Sequence, residues 1–170
     1  SKSQDGPWSI AAELRQLSSP QVQVSHGIVQ GQGLLTHDSA ASAVLNGQIE
    51  AKLQGVALQD PVLAQATGRD LSFSSQITTD GSAAISLQGM QFQGADYQLS
   101  GDLSIEGLQA GLKLNTDLRA GAADMARFSG LAGRPLSGAM QAEIAGSFTP
   151  LSGAFDADLS LQGQGLSAGI

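Results

Sequence analysis

The chain has 170 residues, a net charge of −7, no cysteine, 14% charged and 4% aromatic residues, and 22 glycines. That length allows one domain with a sizeable core. The sparse charge argues against a helical bundle and against charge-driven disorder. The acidic balance argues against nucleic acid or an anionic membrane surface as a partner, and the missing cysteines exclude disulfides and thiolate metal sites. No apolar run approaches the ~20 residues of a membrane-spanning helix. Residues 1–170 read as a single fragment of a larger elongated protein, with a possible subdivision at 121–135.

Residues 1–6 read as a frayed end. Pro7 introduces a strand in which Trp8, Ile10, Ala12 and Leu14 alternate with Ser9, Ala11, Glu13 and Arg15; a helix over Ile10–Leu17 is the competing reading. Pro20 opens a second run with Val22, Val24, His26 and Ile28 on one face, followed by Gly27, Gly31 and Gly33, a place for a bulge or tight turn. Ala41–Leu58 is the longest alternating run. Its apolar face holds Leu45, Gly47, Ile49, Ala51, Leu53 and Gly55, and its phase changes at Val56 and Leu58, where a bulge or turn is expected. Pro61 starts the next piece, and Leu71, Phe73, Ser75 and Ile77 form a further strand face.

Asp80-Gly81 predicts a hairpin turn, because this pair readily adopts positive φ. Ala83, Ile85, Leu87 and Gly89 return on one face. Tyr97–Gly107 is the clearest strand: Tyr97, Leu99, Gly101, Leu103 and Ile105 alternate strictly with Gln98, Ser100, Asp102, Ser104 and Glu106. Leu112, Leu114, Thr116 and Leu118 follow. Met125, Phe128 and Leu131 or Ala132 sit at helical spacing with Gly133 as a stop, which predicts one short helix near 122–132 lying on a sheet edge or capping an end. Alternation resumes with Met140, Ala142, Ile144, Gly146 and Phe148. After the Pro150–Gly153 turn it continues with Phe155, Ala157, Leu159, Leu161 and Gly163.

An aliphatic, one residue, then glycine recurs at 45, 53, 87, 99, 105, 144 and 161 at irregular spacing, which is no fixed-period solenoid of the well-known types. The expected fold is all-β: a long, curled antiparallel sheet, an open trough in the manner of a β-taco. Glycine on an apolar strand face has two readings. It lets the sheet curl and pack a thin core, or it leaves the trough wall incompletely filled. On the second reading the lining is Leu45, Ile49, Leu53, Ile85, Leu87, Leu99, Leu103, Ile105, Leu112, Leu114, Ile144, Phe148, Phe155, Leu159 and Leu161. Such a wall suits hydrocarbon. At ~0.8 kcal/mol per methylene removed from water, an acyl chain gains on the order of 10 kcal/mol from full shelter, without a hydrogen bond or charge.

Sites of other chemistry are weak. His26 and His37, the only histidines, lack the spacing and the companions of a zinc site, and read as solvated. Gly27, Gly31 and Gly33 lack the strand–loop–helix context and following Lys-Ser/Thr of a nucleotide loop. Asp156 and Asp158 share a strand face that reads as wet rather than calcium-binding. Arg127 and Arg134, flanking the helical break, read as capping carbonyls or pairing with acids such as Asp124, with lipid-headgroup contact as the lesser alternative. No serine has a nucleophile elbow, so no enzyme and no cofactor are expected.

The stretch from Asp124 to Gly165, D-M-A-R-F-S-G-L-A-G-R-P-L-S-G and then I-A-G-S-F-T-P-L-S-G-A-F-D-A-D-L-S-L-Q-G, resembles the C-terminal region of TamB proteins, subunits of the translocation and assembly module within the AsmA-like superfamily. The resemblance covers about the last 45 residues; the remainder shares only the glycine-punctuated alternating strands. It implies a β-taco groove in a periplasm-crossing rod, held to the inner membrane by an anchor outside this stretch. It also implies a TamA-like outer-membrane barrel as partner and phospholipid acyl chains as cargo in outer-membrane biogenesis. No site residue of the family carries over. Two other functions stay open: a scaffold or chaperone that pairs its sheet edge with strands of outer-membrane barrel proteins, and a passive β-stalk.

Overall fold

The computed structural model describes residues 5–37, 42–79, 84–107, 112–150 and 152–169. The strands are β1 (Gly6–Ser18), β2 (Val22–His37), β3 (Ala43–Gln54), β4 (Ala57–Leu58), β5 (Leu71–Thr79), β6 (Ile85–Gln93), β7 (Tyr97–Glu106), β8 (Lys113–Ala122), β9 (Leu136–Thr149) and β10 (Ala154–Ala168). They form one antiparallel sheet in the order β1-β2-β3-β5-β6-β7-β8-β9-β10, with β4 paired to β2. The sheet is curled and does not close on itself. The all-β trough expected from the alternation is therefore the observed fold.

The register explains why alternation dominates the sequence. Trp8, Gly33, Gly47, Ile77, Leu87, Leu103, Thr116, Gly146 and Ala157 stand opposite one another in turn, one residue from each strand of the main path. A second such row runs Ala12, Val29, Ala51, Phe73, Phe92, Leu99, Ala120, Ala142 and Leu161. Opposed residues share a face, so these rows define one continuous apolar side. The polar side carries rows such as Gln30, Glu50, Ser74, Gln91, Ser100, Arg119, Glu143 and Ser160. Across it Arg119 pairs with Glu143 at 3.2 Å.

Three local expectations change. In β2 the trough side is taken by Gly27, Val29, Gly31, Gly33 and Leu35, while Ile28 lies opposite Glu13 and Lys52 on the polar side. The three glycines form neither bulge nor turn, since they sit in an unbroken ladder. Register flips as a unit, and this register sets the glycines beneath bulky neighbours. The notches are consequently occupied. A Cβ on Gly31 would meet Ile10 and Trp8 at 3.0 Å and Ile49 at 3.2 Å; one on Gly27 would meet Leu53 at 3.0 Å; Gly33 and Gly47 lie under the Trp8 indole. Trp8 Nε1 donates to the Asn46 carbonyl at 3.3 Å, which fixes the ring over them.

In β6, Gly89 does not share the face of Leu87. It is a bulge residue with φ +56°, and the pairing skips a residue there, so that Met90 and Phe92 join the trough side. The groups freed by the bulge are satisfied. The Gly89 N–H donates to Asp102 Oδ1 at 2.8 Å, and buried Ser75 donates its hydroxyl to the Gln88 carbonyl at 3.2 Å. Near Gln54 the expected phase change occurs: Gly55 has φ +63° and the chain turns into β4.

A helix also forms where none was expected, α1 (Pro61–Thr67). Asp60 caps it by accepting from the N–H groups of Val62 and Leu63, Pro61 opens it, and the Gly68 N–H closes it on Ala64. The expected helical break after β8 is a 3-10 turn, Met125–Phe128, running into α2 (Ser129–Ala132), capped by Asp124 and stopped by left-handed Gly133. β8 and β9 pair directly on either side of it, so the sheet runs through this break without interruption. The Asp80-Gly81 hairpin and residues 1–4 lie outside the described residues.

Candidate functional site

The apolar side holds every expected lining residue that belongs to a strand. Leu45, Ile85, Ile105, Leu114, Phe148 and Phe155 line one margin; Leu87 and Leu103 stand in the next row. Ile49, Ile144 and Leu159 come after that, then Leu99 and Leu161, with Leu53 near the far margin. Leu112 sits just ahead of β8. Trp8, Ile10, Val29, Leu35, Leu71, Phe73, Ile77, Met90, Phe92 and Leu118 share the same side, beyond the expected lining. Most were legible from their own strands. Met90 and Phe92 were hidden by the bulge, and Val29 and Leu35 by the parity of β2.

This side is incompletely covered. Among the described residues no large side chain is fully buried, and the buried apolar residues are Val24, Val56, Ala66, Met90, Ala122 and Ala142. Phe155 is 72% exposed, Leu159 61% and Ile10 53%. Leu87, Leu103, Ile105 and Ile144, in the middle of the sheet, are half-buried. The chain exposes 11085 Å², where a compact monomer of its mass would expose about 7,800 Å². A second sheet layer would have removed that excess; the sequence supplies a single sheet instead.

Polar groups are scarce on this side, being chiefly Ser75, Thr79 and Thr116 with His37 at the end of β2, and its rows carry no Asp, Glu, Lys or Arg among the described residues. Two clefts of about 560 and 720 Å³ draw on residues of both sides: Tyr97, Gln98, Ala122, Met140, Gln141 and Gln162 line the first, and Trp8, Gln32, Gly33, Gly47, Gln48 and Gln76 the second. The trough is thus an open surface without a polar anchor, able to desolvate hydrocarbon and unsuited to fixing one headgroup.

At the margin near Leu71 and Tyr97 the helical pieces cover it. Tyr97 stands opposite Ala122. The Phe128 ring meets Tyr97 edge-on at 5.8 Å, and Phe92 lies 6.1 Å from it. The Tyr97 hydroxyl donates to the Thr67 carbonyl at the end of α1 at 3.0 Å. Burial pushes the phenol pKa up, partly opposed by the Arg127 charge. Arg127 pairs with Asp96 rather than Asp124, and Arg134 stays exposed.

The remaining candidates are peripheral. His26 meets Glu13 at 3.0 Å on the polar side and His37 meets Asp5 at 3.0 Å. Hydrogen bonds from Arg15 and then His26 hold the Glu13 carboxyl below its ordinary value. Asp156 and Asp158 are exposed. Among the described residues no cluster of His, Asp or Glu could hold a metal ion. No family model, curated protein or solved structure matches the chain.

Proposed function

We propose that the chain is a lipid-carrying groove segment, in which phospholipid acyl chains lie on the apolar side of the sheet and pass along it. The observation that carries this reading is the unbroken apolar side itself. It crosses nine strands, remains half-exposed in the middle and open at the β10 edge, and bears no Asp, Glu, Lys or Arg in its described rows. Eight strand spacings make it about 38 Å long. Successive rows offer similar aliphatic surface, which favours sliding over trapping. With the resemblance of residues 124–165, the same reading extends to a periplasmic rod anchored in the inner membrane, acting in outer-membrane biogenesis with a TamA-like partner.

Site-specific photocrosslinking from Leu103 and Ile144 tests it. Phospholipid adducts are expected from both positions, and Leu103→Asp should abolish adducts at Ile144 while the sheet persists. Normal adduct yield in Leu103→Asp removes the main support for a groove.

A second reading is favoured by the outer edges of β1 and β10, the two ends of the strand order. Such edges can receive a strand from an outer-membrane barrel protein. Ser160→Lys charges the β10 edge from the polar side and leaves the trough untouched. Loss of client binding with lipid adducts retained would favour edge pairing; the reverse pattern in Leu103→Asp favours the groove.

A further inference from the structure

The apolar side is not equally accessible along its strands. Three segments distant in sequence meet over one margin: α1, the turn Gly94–Asp96, and the 125–132 helical break. Arg127 joins them. Its guanidinium pairs with Asp96, with Nε at 3.0 Å, and Nη1 donates to the Gln65 carbonyl of α1 at 2.8 Å. The Arg127 side chain is 19% exposed and that of Asp96 43%, so the guanidinium is largely shielded while the carboxylate still faces water. Val62 of α1 packs on Gly130, where an added Cβ would stand 2.9 Å from Val62 Cγ1. Beneath this clasp Tyr97 is tied to Thr67 and Phe128, and Ala66 and Ala122 are buried. At the opposite margin Phe155 is 72% exposed and Phe148 38%.

We propose that guest hydrocarbon is confined to the open part of the trough, from Ile105 and Phe155 to about Leu99 and Leu161. On this proposal the clasp excludes it from the part around Tyr97 and Met140, with Arg127 the positioning residue that keeps the clasp shut. This rests on the lipid reading above and deepens it by dividing the surface. The physical reason is competition. An acyl chain gains by covering bare aliphatic surface, and beneath the clasp Phe128 already lies against Tyr97 and Ala122 is buried. Arg127 matters because its one side chain binds both partner segments. Without it, α1 is held to this margin chiefly by the Tyr97 hydrogen bond and the Val62 contact.

The test places a photoreactive residue at Ile105 or at Met140 in the full chain, each with native Arg127 and with Arg127→Ala. The probe is vesicles of phosphatidylethanolamine and phosphatidylglycerol. Hydrogen exchange of the α1 amides reports whether the clasp has loosened, and Trp8 emission, from the far side of the sheet, reports that the fold persists. Adducts are expected at Ile105 in both backgrounds, and at Met140 only with Arg127→Ala, together with faster exchange in α1. Adducts at Met140 in the native background equal to those at Ile105 would overturn the confinement. A loosened α1 without new Met140 adducts would overturn the role of Arg127. Adducts at neither position would sink the lipid reading itself, and this proposal with it.

Discussion

Glycine in a strand interior usually weakens it, because a side chain that could pack is missing. Around Gly33 and Gly47 the missing side chains are what seat Trp8. The indole spans both residues and its N–H finds the Asn46 carbonyl. Gly47→Ala therefore displaces the ring and also crowds the Gln32 carbonyl of the neighbouring strand. The expected cost is about 1–3 kcal/mol of stability, the usual penalty of overpacking. Trp8 is the only tryptophan, so denaturant melts followed by its emission read the effect directly, together with a shift of that emission to longer wavelength. An unchanged melt would mean that the indole and the Gln32 backbone can both shift at no cost. The glycines of the short repeats differ in what they do. Gly47 receives a ring, Gly89 makes a bulge and Gly55 makes a turn. The repetition in the sequence conceals this, because each outcome depends on what the neighbouring strand brings.

At the scale of elements, the helical clasp has a pH dependence of defined sign. Burial raises the Tyr97 pKa, so folding favours the neutral phenol. Its contribution is fully present below the unfolded value of about 10 and is lost as pH rises through the higher folded value. The phenolate also cannot donate to the Thr67 carbonyl, so α1 should loosen in the same alkaline range. Tyr97 is the only tyrosine, which makes its ultraviolet titration unambiguous. The expected result is a folded midpoint above that of the urea-unfolded chain, with α1 hydrogen exchange accelerating over the same interval. Tyr97→Phe should remove the exchange transition. The clasp was half legible: Gly133 and the helical spacing marked the break after β8, whereas the Asp60-Pro61 start of α1 is a known helix signal overshadowed by the surrounding alternation.

For the whole molecule, the excess surface sets the behaviour. A sheet with bare aliphatic residues on one side and outer edges at β1 and β10 invites association. Phe155, Leu159 and Leu161 bring both features together on one strand. Self-association rising with concentration is expected, and Leu159→Lys should reduce it without lowering the melting temperature by more than the small amount typical of exposed sites. Sedimentation velocity of the two chains checks this. Equal association in both would place the contact elsewhere than on β10.

The alternation of residues by itself determined an all-β chain and the trough side of β3, β5, β7, β8, β9 and β10, because a strand presents alternate residues to opposite sides whatever surrounds it. Only tertiary structure decided which side Ile28 and Val29 of β2 would take, since that depends on register with Trp8 and Ile10 across the ladder. Tertiary structure likewise decided that Gly89 is an extra residue, that Arg127 reaches Asp96 and Gln65 rather than Asp124, and that one margin of the trough is covered. Each of these outcomes joins residues far apart in the chain, and local periodicity carries no information about such pairings.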